Sequence, residues 1–367
     1  MIAGIGFPKM EKERGEKRDF LPHFFSRFVP YDTTICLEQG YGEKMGFTEE
    51  DYRQHHPRIQ FVCKTEVYAQ PLVVTVRSPE FDWIERMQPH AALLAMLHYE
   101  TRPNLVNLLR SRQINAFSLD AIVDDRNQRM VVTYEMTAMA GVQTAFTEMN
   151  KLSRTSVSDK RPLRVTIIGL GNLGFNAGKY AFELFDRFRF REMGYEGLAV
   201  TYLDKTSTVY LETVATILNE TDLLIDATKR FDATQVIIAN KELEHLPMDA
   251  VILDLTADPY EVRETEVQGK AIEGIPHGNL DQYVFHPDQQ EAYQSIPDMV
   301  DTRQRRTTIS CNAWPGVLAK ECMEEYGRKI WPFLLLMLTK GADYPFDLNA
   351  EDFYERALAR CMISHYA

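Results

Sequence analysis

The pattern that most clearly bears chemistry in this sequence is a glycine-rich turn. In RVTIIGLGNLGFNAGKYAFEL, Gly169, Gly171 and Gly174 stand at GxGxxG spacing, and Gly178 follows. Glycines so spaced serve a tight turn, a close approach of backbone to a pyrophosphate, and close packing of helix on strand. The apolar run Arg164–Gly169 precedes them and a helix-compatible segment follows. Asn172 and Leu173 therefore open a helix whose unpaired N–H groups and positive dipole end suit phosphates. A bare GxGxxG is a weak signal, but one set between strand and helix in a βαβ unit is strong. The alternative is an ordinary turn. The next apolar run, Leu198–Leu203, ends in Asp204. A carboxylate there accepts from the ribose hydroxyls of NAD and repels the 2′-phosphate of NADP, so NAD is the expected cofactor and NADP the second choice. Against this, Asp204 lies 30 residues beyond Gly174, where about 20 is usual. Lys205 is also able to compensate a 2′-phosphate, and Asp204 has the reading of a plain strand end.

The elements around this turn divide the chain into three parts. Residues 1–80 alternate short β-like runs (Thr34–Glu38, Phe61–Cys63, Leu72–Arg77) with polar, helix-compatible segments, and the N-terminus reads as a first strand. Ala91–His98 and Leu105–Arg110 read as helices and Ala116–Val123 as a strand. Tyr134–Leu152 has the spacing of a long helix, expected to connect two domains. After a polar break at Ser153–Pro162, strands and helices cycle. The first helix runs to about Met193 and is followed by Leu198–Leu203, Val209–Leu218, Asp222–Ala227, Thr234–Asn240, Ala250–Leu255 and Ala271–Ile275. Apolar strands alternating with helices indicate a parallel sheet covered on both faces. Residues 276–306 read as a long loop over the sheet edge. From Thr307 the chain returns, through helices after Val317, to the first part. Phe24, Phe25 and Phe28 look like one helix face in a core.

Composition narrows the classes of function. The chain has 367 residues, enough for two domains, and a net charge of −12. So acidic a surface repels phosphate backbones, and nucleic acid is not an expected partner. No apolar stretch approaches the roughly 20 residues that span a bilayer, and the first residues lack the order of charges in a secretory signal. A cytoplasmic protein with no membrane partner is expected. The five cysteines are odd in number and form no CxxC pair, which argues against a disulfide framework or structural zinc. His55 and His56, in a polar stretch before Pro57, read as solvated. No metal site is expected.

Several segments, taken in order, resemble one family, the alanine dehydrogenase and transhydrogenase superfamily, which includes lysine-forming saccharopine dehydrogenase and N5-(carboxyethyl)ornithine synthase. EKRDFLP (16–22) resembles the family's carboxylate-binding E-x-R-x-x-L opening, and GYGEKMGFTEEDY (40–52) is close to the carboxyethylornithine synthase pattern. VVTVRSP (73–79), LLAMLHYE (93–100), GLGNLGFNAG, DLTADP (254–259) and NAWPGVLAKECMEEYGRKIWPF follow in the family's order. The strength of the resemblance lies in this collinearity, from residue 14 to about 335.

The resemblance implies two Rossmann-like α/β domains with a cleft between them. The catalytic domain would be discontinuous (1–140 and 315–367) and the dinucleotide domain would span 141–314. It implies a C–N oxidoreductase, an amino-acid or opine dehydrogenase, with a small amino acid or 2-oxo acid as partner and a homo-oligomeric assembly. Position by position, Arg18 would pair with the substrate carboxylate, whose two oxygens suit a guanidinium fork. The alternative is a surface arginine in a charged run. His98 would be the general acid/base, or else a core histidine at a helix end. Asp258 would orient ammonia, water or an amine at a strand's carboxyl end, or cap the turn before Pro259. The family's catalytic lysine falls on Arg77, with Ser78 where a glutamate is usual. Arginine stays charged, so it can polarise a carbonyl or hold a carboxylate but cannot shuttle a proton. This departure opens two other readings: a catalytically degenerate NAD-binding regulatory protein, and a cyclodeaminase-like enzyme that recycles its NAD internally.

Overall fold

The computed structural model describes residues 2–151, 160–230, 232–256, 258–263 and 266–366; the expected polar break lies, from Ser153 to residue 159, outside the described residues. The chain forms two compact units. One comprises Met1–Lys12, Glu16–Thr133 and Ala319–Ala367; the other comprises Glu13–Gly15 and Tyr134–Leu318.

The first unit is built on six parallel strands: β1 (Gly4–Phe7), β2 (Thr34–Glu38), β3 (Ile59–Val62), β4 (Leu72–Arg77), β5 (Ala92–Met96) and β6 (Asn115–Ser118). Their order is β3-β2-β1-β4-β5-β6. Connections from β1 therefore leave in one direction and those from β4 in the other, and the strands' carboxyl ends open a crevice between β1 and β4. Ala91–His98 is a correction: it holds strand β5, not a helix. Leu93, Leu94 and Ala95 are fully buried, and a parallel strand covered on both faces is a continuous apolar run that periodicity does not separate from a buried helix. Similarly, β6 stops at Ser118, short of the expected Val123.

The second unit continues with β7 (Arg161–Ile168), β8 (Tyr195–Leu203), β9 (Leu223–Asp226), β10 (Val251–Asp254), the antiparallel pair β11 (Glu261–Arg263) and β12 (Glu266–Gln268), β13 (Val284–Phe285) and β14 (Thr307–Ser310). The main sheet runs β13-β14-β10-β9-β7-β8, parallel except for the β13–β14 pair. The helix Tyr134–Lys151 is no mere connector, because Ala138, Val142, Ala145, Phe146 and Met149 are buried in this unit's core. The helix after the glycine turn ends at Phe185 rather than Met193. Phe188 and Phe190 instead fold back in a turn, with Phe190 5.5 Å from Phe185 and 4.8 Å from Phe146 between ring centroids. Segments 234–240 and 271–275 form no named strands but meet at a parallel bridge between Ile238 and Ile272, extended by Asn240 N–H donating to the Glu273 carboxylate at 2.8 Å. Residues 276–306 carry β13 and the short helix Gln290–Tyr293. No helix of the described residues is long and apolar enough to cross a membrane.

At the carboxyl ends of β9, β10 and β14 sits a buried polar cluster. Asp254 is in register with Asp226 on one side and Ser310 on the other. The ammonium of Lys270, itself fully buried, lies 2.5 Å from Asp254 Oδ2, to which Ser310 Oγ donates at 2.9 Å. Removing one partner of a buried ion pair leaves the other charge desolvated. Lys270→Met is therefore expected to lower unfolding free energy by about 3–5 kcal/mol in a denaturant titration, with most of that loss recovered on adding Asp254→Asn. Equal midpoints for wild type and the single variant would show that the pair does not hold these strand ends.

Candidate functional site

In the first unit the chain leaving β1 is pinned on both sides of Arg18. Phe7, at the end of β1, packs against Phe20, Phe24, Phe25 and Phe28 at centroid distances of 5.0–6.5 Å. The three phenylalanines 24, 25 and 28 lie buried in a 3-10 helix, Pro22–Phe28. Phe20 N–H donates to Tyr41 Oη at 2.9 Å, and Tyr52 Oη–H donates to the Phe20 carbonyl at 2.9 Å. Asp19 accepts from Gly42 N–H at 2.8 Å. Gly42 has φ +82°, and a Cβ there would collide with the Tyr52 hydroxyl, so glycine is required by both conformation and space.

Against this frame, Arg18 is buried rather than on the surface, only 4% exposed. Its guanidinium makes a fork with Glu16, Nε to Oε1 at 2.9 Å and Nη2 to Oε2 at 2.6 Å. Arg77, the last residue of β4, donates from Nη1 to the same Glu16 Oε2 at 3.1 Å. The structure thus brings the two expected arginines together on a shared carboxylate. Glu16 was not singled out from sequence, although it is the E of the E-x-R opening. Burial works to raise its pKa, but hydrogen bonds and charge from Arg18 and Arg77 outweigh it and hold the carboxyl at about 2.

His98 follows β5 in the left-handed conformation (φ 50°, ψ 56°), rare for a residue with a side chain. Its side chain is 43% exposed, so it is a strand-edge group and not a core histidine. Asp120 holds it from both sides of the backbone. Oδ1 accepts His98 N–H at 3.2 Å and Oδ2 lies 3.4 Å from Nδ1, while Ser118 Oγ donates to Oδ1 at 2.7 Å. This arrangement favours the Nδ1–H tautomer and makes Nε2 the acceptor nitrogen. Burial lowers the imidazole's pKa; Asp120 opposes that, and the positive charges of Arg102, Arg129 and Lys12 add to it.

In the second unit β7 ends at the expected turn. Gly169 has φ +107°, and a Cβ there would lie 2.6 Å from the Ala227 carbonyl oxygen; at Gly174 a Cβ would lie 2.1 Å from that of Gly169. Gly171 differs, since its φ of −79° suits any residue and a Cβ there would meet no protein atom within 4 Å. The backbone of this chain gives no reason for glycine at 171, whereas close approach of a ligand does. Gly171 is the N-cap of the helix Asn172–Phe185, and no side chain caps it, so its first N–H groups remain available to an anion. The residues present therefore fit a dinucleotide pyrophosphate.

Asp204 follows β8 as expected, but its carboxylate is engaged locally. It accepts from Thr206 Oγ1 at 2.8 Å, Ser207 Oγ at 2.6 Å and the N–H groups of both. These bonds hold its pKa at about 2. A ribose would share this acceptor with the turn. Asp258 lies four residues past β10, and its Oδ2 is 2.6 Å from Nη2 of Arg230, a side chain only 3% exposed. Arg230 also donates to the carbonyls of Ala233, Gln235 and Gly269. Sequence reading missed Arg230 because its carboxylate partner, Asp258, is 28 residues away in the chain. It missed the buried Asp226 for the same reason; burial and neighbouring Asp254 raise the pKa of Asp226. His56 is a correction of another kind, since it is fully buried rather than solvated.

Two outcomes follow. Gly174→Ala should lower stability by about 1–3 kcal/mol through overpacking, while Gly171→Ala should leave the melting curve in place and weaken NADH binding roughly tenfold, about 1.4 kcal/mol. Unchanged NADH fluorescence titrations for Gly171→Ala would remove the turn from the cofactor site. For Glu16, the folded pKa lies below the ordinary 4.5, so its stabilisation is present above pH 4.5 and lost as pH falls toward 2. Glu16→Gln should cost about 3 kcal/mol at neutral pH and flatten the acid limb of stability against pH; a parallel acid limb in the variant would contradict the pairing.

Residues 8–141 match the family model described as alanine dehydrogenase/PNT, N-terminal domain. Over 323 residues the chain is 23% identical to an alanine dehydrogenase of Bacillus subtilis (strain 168), covering 83% of this chain and 82% of the relative. It is 21% identical over 180 residues to the NAD(P) transhydrogenase subunit alpha of Haemophilus influenzae, covering 47% of this chain but 35% of that subunit. Among solved structures, an L-alanine dehydrogenase superposes with a TM-score of 0.73 at 20% identity, covering 98% of this chain and 94% of that one. A transhydrogenase from Sinorhizobium meliloti gives 0.63 at 14% identity, covering 91% and 96%. These structural likenesses establish the fold of two parallel α/β sheets. The chain is thus similar to the alanine dehydrogenase and transhydrogenase superfamily in the sequence of residues 8–141, in one relative aligned along most of its length, and in fold.

Proposed function

We propose that the chain is an NAD(H)-dependent oxidoreductase acting on the C–N bond of an amino acid or opine. The observation that carries this reading is the turn at Gly169–Gly174, where protein packing explains the glycines at 169 and 174 and the open space at Gly171, before an uncapped helix N-terminus, leaves room for a ligand's close approach. The names of the relatives, alanine dehydrogenase and NAD(P) transhydrogenase, support the same class. NAD is the preferred cofactor because Asp204 stays ionised at its position after β8. When bound, the dinucleotide supplies or accepts a hydride.

The chain's own residues provide the rest. In the first unit Arg77 and Arg18 offer positive charge to a substrate carboxylate. Glu16 fixes the planes of both guanidiniums, so less side-chain freedom is lost on binding. His98 takes or gives a proton at Nε2 while Asp120 keeps Nδ1–H oriented, and its depressed pKa keeps it mostly neutral near pH 7. Arg77 polarises a carbonyl or imine without exchanging protons. In the second unit Asp258, held by Arg230, orients an amine or ammonia. A second reading, a dinucleotide-binding protein without turnover, draws support from Arg77, which stands where the family resemblance implies a lysine and is tied to Glu16.

The deciding assay is NADH oxidation with pyruvate, glyoxylate and 2-oxoglutarate, each against ammonia, lysine, ornithine and arginine. Amine-dependent turnover with at least one pair is expected; binding of NADH without turnover by any pair would favour the second reading. Because Asp120 raises the imidazole pKa, Asp120→Asn should move the pH–rate limb of His98 to lower pH. A limb that stays put would assign the proton transfer to another group.

A further inference from the structure

The crevice of the first unit has a feature that the carboxylate of a simple substrate leaves unexplained. Where β1 and β4 diverge, the residues after β1, the end of β4 and the short helix Lys64–Tyr68 enclose a cavity of about 250 Å³. At about 30 Å³ per liquid water it has room for roughly eight waters, far beyond the single methyl group by which alanine extends from its reacting carbon. One wall is aromatic, with Tyr68 stacked on Trp83 at 5.2 Å between ring centroids. The other walls carry Lys9, Lys12, Lys64 and Arg77 against Glu11 and Glu80, an excess of two positive charges. This stands out in a chain whose net charge is −12.

The balance within the cavity is lopsided in detail as well. Glu11 lies 3.4 Å from Lys9 and 3.3 Å from Lys64, so one carboxylate serves two ammonium groups. Burial works against its ionisation, yet the two lysines lower its pKa. Lys64 Nζ also sits 5.1 Å from the Trp83 ring centroid, which places that charge at the edge of the aromatic wall. Lys12 acts electrostatically on His98, so the cationic region extends from the cavity toward the imidazole. Arg77 stands at one end, already oriented by Glu16.

The geometry points to a substrate with two carboxylates, a dicarboxylic amino or 2-oxo acid, with one carboxylate at Arg77 and the second among Lys9, Lys12 and Lys64. The methylene arm between them would lie along Tyr68 and Trp83. This inference rests on the C–N oxidoreductase reading for the identity of the reacting group, but not for the two anionic subsites.

Binding separates the two. Calorimetric titration of the full chain with glutarate and with pentanoate, with and without NADH, compares five-carbon chains that differ in the second charge. Glutarate should bind at least about tenfold more tightly, a difference of about 1.4 kcal/mol, and the ratio should shrink as salt is raised. In the double variant Lys12→Gln/Lys64→Gln, with a melting temperature near that of wild type, the ratio should fall toward one. In turnover the same variant should raise KM for 2-oxoglutarate more than it lowers kcat. Equal affinities, a ratio unmoved by the double variant, or binding of neither acid would overturn the second subsite. Glutarate preference without turnover by any oxo acid and amine would instead sink the enzymatic reading and leave the subsite standing.

Discussion

The candidate substrate site depends on one buried carboxylate. Glu16 is fully enclosed and accepts from two guanidiniums, Arg18 by a two-point fork and Arg77 by one contact. Either arginine alone would be hard to hold in a low-dielectric place, because a desolvated cation without a partner costs several kcal/mol. Sharing one anion leaves the trio with a net positive charge. A site so arranged is stable without ligand and still attractive to an anion. The aromatic cluster around Phe7 and the tyrosine hydroxyls on Phe20 serve this arrangement, since they fix the backbone on which Glu16 and Arg18 sit two residues apart.

In both units the chemistry-bearing groups collect at carboxyl ends of parallel strands. Arg77 closes β4 and His98 follows β5; Gly169 follows β7, and Asp204 follows β8. The reason is topological. In a parallel sheet every strand delivers its following loop to the same edge, and the reversal of strand order leaves a crevice there that no crossover helix covers. Buried polar groups at that edge must be compensated. The two units do this differently, with Glu16 between arginines in one and Lys270 against Asp254 in the other.

An arginine rather than a lysine at position 77 fits this electrostatic setting. A lysine there, sharing Glu16 with Arg18, would bring a proton whose release burial and the neighbouring guanidinium both favour. Arginine keeps its charge whatever surrounds it. It therefore favours anion holding over proton exchange. At His98 burial lowers the imidazole's pKa against the pull of Asp120, which holds its unusual left-handed backbone in place through both the N–H and the ring.

The sequence by itself determined what is local. The glycine turn was legible because strand, turn and helix N-terminus are consecutive in the chain and each glycine answers a short-range demand. The strands Thr34–Glu38 and Leu72–Arg77 were legible for the same reason, as brief apolar runs bounded by polar residues. Tertiary structure decided what depends on partners far along the chain. Ala92–Met96 is a strand because β4 and β6 flank it, a fact that its uniformly apolar residues do not encode. Arg77 reaches Glu16, the carboxylate that Arg18 also holds, across 61 residues of chain, and Asp258 meets Arg230 across 28. Ser310 joins Asp254 and Lys270 only because β10 and β14 are neighbours. Hydrogen-bond and ion-pair energies fall steeply with distance, so which charges compensate which is fixed only when the sheets have formed.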